Sequence, residues 1–553
     1  MYRRILFSLI FFATVLAVMG QQPKWYKKAR KAQLTVLTYD SQGQLLHSTN
    51  GFFISPDGQA LSDYASFRHA SRAVVVDEGG RQYDVKRICG ASSLYDVVCF
   101  KVDIKKTESL AIAATASVAG DVVTVLPYIS NKSGACTQTT VSEVQVFNEQ
   151  FPYYTLPITL AENNLSCPVM NEQGEVVGLW QMSATRGDEK SYAVSAAFAA
   201  SLSTTALSAN NNDLREILIP KALPADAAQA SSFIYLTGTR DTSLYLTYVS
   251  DFIELFPNET NGYTMKAEML AAMGRYAEAD AVWNEGLKAH AAADELHYSR
   301  SRSIYAVAQD TASRTGWTLD DALTEIVTAK DINPLPLYTA LEGHILYALQ
   351  RYADASERFE QVCASNLRSA EQFLYAAQCR QMMADTLGSL ALQDSAVACF
   401  TKPYRTDAAP ALLMRATTYL SLHRYREAVG DLLEYEYVSP NPLNANFYYQ
   451  RSQAALKCRM FQQALSDLEQ AVRKDNGEPL FQAELAALHY RFGNYEEAEL
   501  AARKAVALDA EFADAHRILG VCLKAQGKDD ESKASLQRAA ELGDEMARQM
   551  LAQ

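Results

Sequence analysis

The stretch ENNLSCPVMNEQGEVVGLW, Glu162 to Trp180, decides how the first part of the chain folds. A polar loop carrying one serine, Ser166, leads into a strand, an N-E-Q-G turn and a second strand. The same grammar extends in both directions. From about Gln33 to Leu202, apolar and polar residues alternate in short runs: AQLTVLTYD, GFFISPDGQALS, RAVVVDEGGRQYDVKRI, DVVCFKV, DVVTVLPY, GEVVGLWQM and SYAVS. SPDG and DEGG put Pro, Asp and Gly where tight turns between strands need them. Repeated short strands of this kind predict an all-β sandwich or barrel.

Beyond Ser203 the alternation dissolves into TTALSANNNDLREILIPKALPADAAQAS, a connector with room for one short helix. From there to the end the hydrophobic period is that of helices. This half repeats itself. AAMGRYAEADAVWNEGLKA, YALQRYADASERFEQVCAS, LSLHRYREAVGDLLEYEY, LKCRMFQQALSDLEQAV, YRFGNYEEAELAARKAVAL and LKAQGKDDESKASLQRAA each end one helix, turn, and open another. Phe461, Tyr495 and Asp529 stand at one equivalent position in steps of 34, and Tyr425 precedes Phe461 by 36. Small residues at a fixed offset, Ala279, Ala355, Ala428, Ala464 and Ala498, let two helices approach while the aromatic fills the gap to the next pair. Degenerate units fill the longer gaps around TGWTLDDALTEIVTAKDINP and LGSLALQDSAVACFTKPY. The expectation is seven to eight units over 232–553, closed by the more polar ELGDEMARQMLAQ.

With 553 residues, 48% of them hydrophobic and 21% charged, the chain has the composition of several ordinary globular units. A net charge of -13 repels phosphate backbones, so nucleic acid is not an expected partner. The basic KWYKKARKAQ is read as a solvated first helix. Before it, MYRRILFSLIFFATVLAVMGQQ has two arginines, an apolar run from Ile5 to Met19, and Gly20, the pattern of a signal peptide over 1–20. No cysteine follows to take a lipid, and no later segment has the length or purity of a membrane-spanning helix. The mature protein is therefore expected to be exported, periplasmic or secreted, or held at the envelope. Nine cysteines are too few and odd in number for a disulfide scaffold. Cys363, Cys379, Cys399, Cys458 and Cys522 read as small apolar residues in helices. One bridge among Cys89, Cys99, Cys136 and Cys167 is open, without a defined pairing. No metal or cofactor site is expected, because no His/Cys cluster has ligand spacing.

The helical half, with G-x-Y-x-x-A at its turns and a period of 34, resembles the tetratricopeptide repeat family. The β half resembles the trypsin-like serine proteases, and within them the HtrA/Deg group. NGFFISPDGQALSDYASFRHA is similar to that group's opening strands and the segment that delivers its histidine; ASSLYDVVCFKVD to the hairpin carrying its aspartate. NNLSCPVMNEQGEVVGL is similar to its G-N-S-G-G-P-L-x-N-x-x-G-x-V-x-G loop, and SYAVSAAFAASL to its closing strand and helix. The resemblance implies a double β-barrel over 21–205, a linker at 206–231 and a repeat solenoid over 232–553.

Acyl transfer by such a fold needs a serine hydroxyl, an imidazole, a carboxylate and an oxyanion hole. Laid over the motifs, Ala65 takes the histidine position, Asp96 the aspartate position and Leu165 the serine position, with Asn163 in place of the preceding glycine. Only Asp96 matches. The fallback set for an active enzyme is His69, Asp96 and Ser166, with His69 four residues and Ser166 one residue out of place. Leu165 is expected to pack into the emptied cleft, and Asp96 to bond backbone groups or a hydroxyl such as that of Ser66. The reading is a non-catalytic protein that binds proteins or peptides through the concave face of its repeats and the barrel cleft. Its rivals are an atypical serine endopeptidase and a barrel that merely caps the solenoid.

Overall fold

Alternating side chains give each strand of the first half two apolar neighbourhoods, and the chain uses both by building two curved sheets against each other. The computed structural model describes residues 23–130, 135–185, 187–238, 241–290, 293–309 and 316–552. The expected signal peptide, 1–20, lies outside them.

Strands β1 (Gln33–Tyr39), β2 (Leu45–Phe53), β3 (Gln59–Ser62), β4 (Arg72–Asp77), β5 (Gln82–Ser92) and β6 (Val97–Val102) close an antiparallel barrel in the order β1-β2-β3-β6-β5-β4. Leu34, Val36, Phe53, Phe67, Val75, Ile88, Val98 and Phe100 fill it. The second sheet holds β7 (Val122–Val125), β8 (Thr137–Thr140), β9 (Glu143–Phe147), β10 (Phe151–Leu156), β11 (Pro168–Met170), β12 (Val176–Met182) and β13 (Ser191–Ser195). Their order is β8-β7-β11-β12-β13-β10-β9. The two outer strands are consecutive in the chain, with only Val141 and Ser142 between them, so the sheet's edges meet through one bent segment. Backbone bonds from Val141 to Asp121 and from Ser142 to Thr155 carry the pairing across the bend. Trp180, fully buried inside this sheet, donates its indole N–H to Ser191 Oγ at 2.9 Å.

A third cluster joins the two sheets. Phe52, Leu61, Val97 and Cys99 from the first meet Met170, Val176, Leu179 and Val194 from the second. The helix Tyr26–Ala32 closes over it, with Tyr26, Ala29 and Ala32 buried. The basic segment is thus not a solvated helix. Arg30 reaches down to the carbonyls of Tyr128 and Ile129, at 3.3 and 2.7 Å, leaving its lysines to face water. Gly174 of the N-E-Q-G turn sits at φ +81, and a Cβ there would come within 2.4 Å of Trp25, so the turn requires glycine twice over.

The connector at 206–231 is itself part of the first barrel's packing. Leu214, Ile217 and Ile219 are at most 3% exposed and belong to the barrel core. Backbone bonds fix it in place: His69 N–H to Glu216, Leu218 N–H to Ala70, Ile88 N–H to Pro220 and Ala222 N–H to Ile88. Arg87 on β5 then makes a two-pronged ion pair with Asp251 of the helix Thr242–Leu255, at 2.6 and 2.8 Å. These ties explain why the first compact unit runs to His290 and the second from Ala291 to Gln553, a division later than the change of hydrophobic period at 232.

The helices come in nine antiparallel pairs plus the terminal helix Glu545–Ala552 among the described residues. This exceeds the seven to eight units expected because the pair Ala227–Gly238 and Thr242–Leu255 lacks the G-x-Y-x-x-A signature. Two pairs lie in the first unit and seven in the second. Tyr276, Tyr352, Tyr425, Phe461, Tyr495 and Asp529 are each the first residue of a helix. Ala279, Ala355, Ala428, Ala464 and Ala498 are 0% exposed, as close helix approach demands. Two residues before those starts the backbone turns left-handed, at Gly274, Gln350, His423, Arg459, Gly493 and Gly527. That conformation is why glycine recurs in the repeat signature.

If the connector belongs to the barrel, a chain ending at Leu223 will unfold cooperatively, whereas one ending at Thr205 exposes the faces that Leu214, Ile217 and Ile219 cover. Each buried side chain of this size contributes about 1.5–3 kcal/mol. Urea unfolding should therefore show the shorter chain weaker by several such steps or unfolded, and equal stability of the two would contradict the packing.

Candidate functional site

The three triad positions lie on the short helical turn after β3 (Ala65), just before β6 (Asp96) and in the turn before β11 (Leu165). What holds them together is Asp63, 1% exposed, which the sequence reading passed over. Its Oδ1 accepts from Thr49 Oγ1 at 2.5 Å, Ser166 Oγ at 2.9 Å and Ser62 Oγ at 3.3 Å. Its Oδ2 accepts from the Ser66 backbone N–H at 2.9 Å. Four donors satisfy a buried carboxylate that would otherwise be costly.

Ser166, buried at 2% exposure and in left-handed backbone at φ 63, therefore spends its hydroxyl on Asp63. Left-handed backbone is a glycine-favouring conformation, and Ser166 stands at the position after the nucleophile where the G-N-S-G-G-P pattern has glycine. His69 is elsewhere. It is exposed, left-handed at φ 63, and its backbone N–H bonds Glu216 of the connector at 2.7 Å. The Glu216 carboxylate is held below the usual range by Tyr64 first and Arg68 second. Ser166 and His69 are thus bonded to different partners in different parts of the first barrel's surroundings.

Ala65 opens the short helical turn Ala65–Phe67, and its N–H donates to Asp96 Oδ1 at 2.8 Å. Asp96 also accepts from the Tyr64 N–H. The partner of Asp96 is accordingly backbone, while Ser66 turns its own N–H to Asp63. Burial, then the negative charge of Asp63, pushes the Asp96 carboxyl above its ordinary range, against those two backbone bonds. Beside it the space between the sheets is aromatic. Tyr95 stacks on Phe147 with centroids 4.0 Å apart, and Phe198 packs edge-on against Tyr95, Phe147 and Phe151. Tyr153 O–H donates to Gln181, whose amide donates to the Tyr95 carbonyl.

Leu165 does not bury itself in the cleft; its side chain is half-buried and its backbone is what is engaged. The residues Glu162–Asn164 form one tight helical turn, in which Asn164 N–H bonds Ala161 and Leu165 N–H bonds Glu162, both at 2.9 Å. Asn50 on β2 clamps the far side, donating its amide to the carbonyls of Asn163 at 2.9 Å and Leu165 at 2.8 Å. In this fold the backbone N–H of the nucleophile residue and that of the residue two before it bind the oxyanion. At Leu165 that donor is taken by the chain itself. Among the described residues no group of three or more His, Cys, Asp and Glu is arranged to hold a metal ion.

Residues 49–179 match the trypsin-like peptidase domain family, and residues 449–510 and 483–547 match the tetratricopeptide repeat family. No curated protein matches the chain. Among solved structures, the chain is similar to the crystal structure of the serine endoprotease from Yersinia pestis. The identity is 21% and the TM-score 0.28, over 32% of this chain and 65% of that one. The chain thus spans about two thirds of the length of that endoprotease.

Two outcomes follow from the site's electrostatics. Replacing Asp63 by Ala strands Thr49, Ser166 and the Ser66 N–H together, and chemical unfolding should show a loss of about 3 kcal/mol; a loss under about 1 kcal/mol would mean that the network is not structural. Asp96 holds its proton more tightly folded than unfolded. Its contribution to stability is therefore fully present below the unfolded carboxyl range and lost as pH rises through the folded one. Comparing unfolding of wild type and Asp96→Asn from pH 3 to pH 7, the wild type should lose ground to the variant with rising pH, and a constant difference would contradict this.

Proposed function

We propose that this combination of a trypsin-like peptidase domain and tetratricopeptide repeats binds protein or peptide partners without cutting them, as an exported scaffold of the cell envelope. The observation that carries the reading is the turn before β11. It spends the Leu165 N–H on Glu162, and it places a leucine where a hydroxyl would attack. Support comes also from Ala65 at the position of the proton acceptor and from Ser166, whose hydroxyl donates to a carboxylate rather than to an imidazole. Loss of serine or histidine alone in another serine protease costs about 10⁶ in turnover. Two such losses and a spent oxyanion donor leave acyl transfer without its parts.

Binding is then what the architecture offers. Tetratricopeptide helices stack small residues inward and present their remaining faces to extended or helical segments of other proteins. Export rests on the leader-like residues 1–20, and among the described residues no helix is long and apolar enough to cross a membrane.

The reading is tested by incubating the intact protein with a fluorophosphonate probe and, separately, with envelope extract. Expected are no labelling and the capture of partners at their full length. Labelling that disappears in Ser166→Ala, or partners recovered as fragments only when the wild-type protein is present, would overturn it in favour of an atypical endopeptidase.

A further inference from the structure

We propose that Cys89 and Cys99 form a thiol–disulfide exchange site, in which Cys89 attacks a small-molecule or protein disulfide and Cys99 resolves the product into a cross-strand bridge.

The two cysteines sit on neighbouring antiparallel strands, β5 and β6, and pack in one cluster between the sheets. Gly90 is the register partner of Cys99, and Ile88 that of Phe100, so the pairing skips Cys89 as the extra residue of a bulge. A bulge re-aims a side chain that regular pairing would send to the opposite face. The consequence here is that Cys89 packs against the cluster that holds Cys99, one residue along β5 from the register partner of Cys99.

The pair is also asymmetric in the way exchange chemistry requires. Cys89 is partly exposed, whereas Cys99 is 0% exposed and further held by a bond from the Gln59 amide at 3.0 Å. Cys99's hydrogen bond lowers the Cys89 thiol below its ordinary range against the opposing effect of burial, with Lys101 assisting. The same bond, then burial, pushes the Cys99 thiol well up. The partly exposed cysteine is thus the one that favours thiolate, and the fully buried one keeps its proton until needed. Of the remaining cysteines, Cys363 has Cys399 near it, but burial pushes the Cys363 thiol up to about 11. Cys167 is wholly buried, with its thiol pushed up by burial, and Cys399, expected within a helix, lies two residues past the end of Thr386–Val397 and is exposed.

The step balances. Cys89 thiolate attacks one sulfur of R–S–S–R, forming Cys89–S–S–R and releasing RS⁻. Cys99 then loses its proton to the released thiolate or water and attacks the Cys89 sulfur. The new Cys89–Cys99 bond expels the second RS⁻. Two protein thiols are oxidised, and one external disulfide is reduced to two thiols.

The position gives the bond a structural reach. Ile88, next to Cys89, exchanges backbone bonds with Pro220 and Ala222 of the connector, and Gly90 lies so near Leu202 that a Cβ would meet it at 2.6 Å. A bridge would fix β5 to β6 at the place where the connector leaves the barrel.

The test uses the reduced full-length protein, equilibrated with rising ratios of oxidised to reduced glutathione, quenched in acid, alkylated and mapped by peptide mass. Expected is a single intramolecular crosslink joining the Cys89 and Cys99 peptides, with both protected from alkylation. In Cys99→Ser, the glutathione adduct on Cys89 should rise at least roughly tenfold over wild type, because nothing resolves it. In Cys89→Ser, Cys99 should remain free, while exposed Cys399 takes up glutathione and shows that the oxidant acted. If either variant fails to fold, the wild-type map decides alone. Cys89 and Cys99 still alkylated when Cys399 is fully modified, or Cys89 bridged to a different cysteine, would overturn the proposal.

Discussion

A buried carboxylate organises the junction between the two sheets. Asp63 is buried at 1% exposure, so the fold must bring donors to it from wherever they lie in sequence. Thr49 comes from β2, Ser62 and Ser66 from either side of Asp63 itself, and Ser166 from a turn more than a hundred residues later. Fixing Ser166 fixes the turn that precedes it, and Asn50 clamps the same turn through two carbonyls. On the function proposed above, the Ser166 hydroxyl holds this junction and the Leu165 N–H closes its own turn. A hydroxyl serving as a structural donor to a carboxylate, and an N–H closing a helical turn, are satisfied before any substrate arrives.

The same economy of satisfied groups explains how the all-β part passes into the helices. Past β13 the chain does not leave the barrel but returns along it, burying Leu214, Ile217 and Ile219 and exchanging backbone bonds with Ala70 and Ile88. The Arg87–Asp251 pair then ties β5 to the first helices, with both side chains about 15% exposed, so it is shielded from solvent more than a surface pair. Linkers that behave as tethers have no such contacts. Within the first unit, the helix Thr242–Leu255 is thus fixed to the barrel and its connector, through Asp251 and through the Tyr248 hydroxyl that accepts from the Lys221 N–H.

Much of this was legible in the residues. Alternation located ten of the thirteen strands, because each has one face inside a sheet and the other between sheets or in water; β8, β9 and β10, over 137–156, lay outside the runs it picked out. Periodicity placed the helix starts at Tyr276, Tyr352, Tyr425, Phe461, Tyr495 and Asp529 without error, since a small residue and an aromatic at fixed offset are what helix approach needs. Repeats without that signature were less visible: the pair at 227–255 packs through Phe233, Tyr248 and Phe252 instead, and a count from the motif missed it. At the site, motif spacing points to Ala65, Asp96 and Leu165 and passes over Asp63, the hub of the hydrogen bonds. Asp63 lies in the same motif, yet nothing in a linear string says that Thr49 and Ser166 converge on it. Leu165 was misjudged for a related reason. Its side chain was weighed by hydrophobicity, while its position is fixed by backbone bonds that composition does not encode. The connector looked polar because its buried residues are spaced singly among exposed ones.

The central claim is that the closed turn and the captured serine leave no acylation chemistry in the cleft. Pre-steady-state kinetics with an activated p-nitrophenyl ester test it most directly, since such an ester acylates even a poorly matched serine protease in a burst. Purified full-length protein should release p-nitrophenol at the rate of buffer, with no burst in proportion to protein. A burst approaching one equivalent per chain that vanishes in Ser166→Ala would contradict the account.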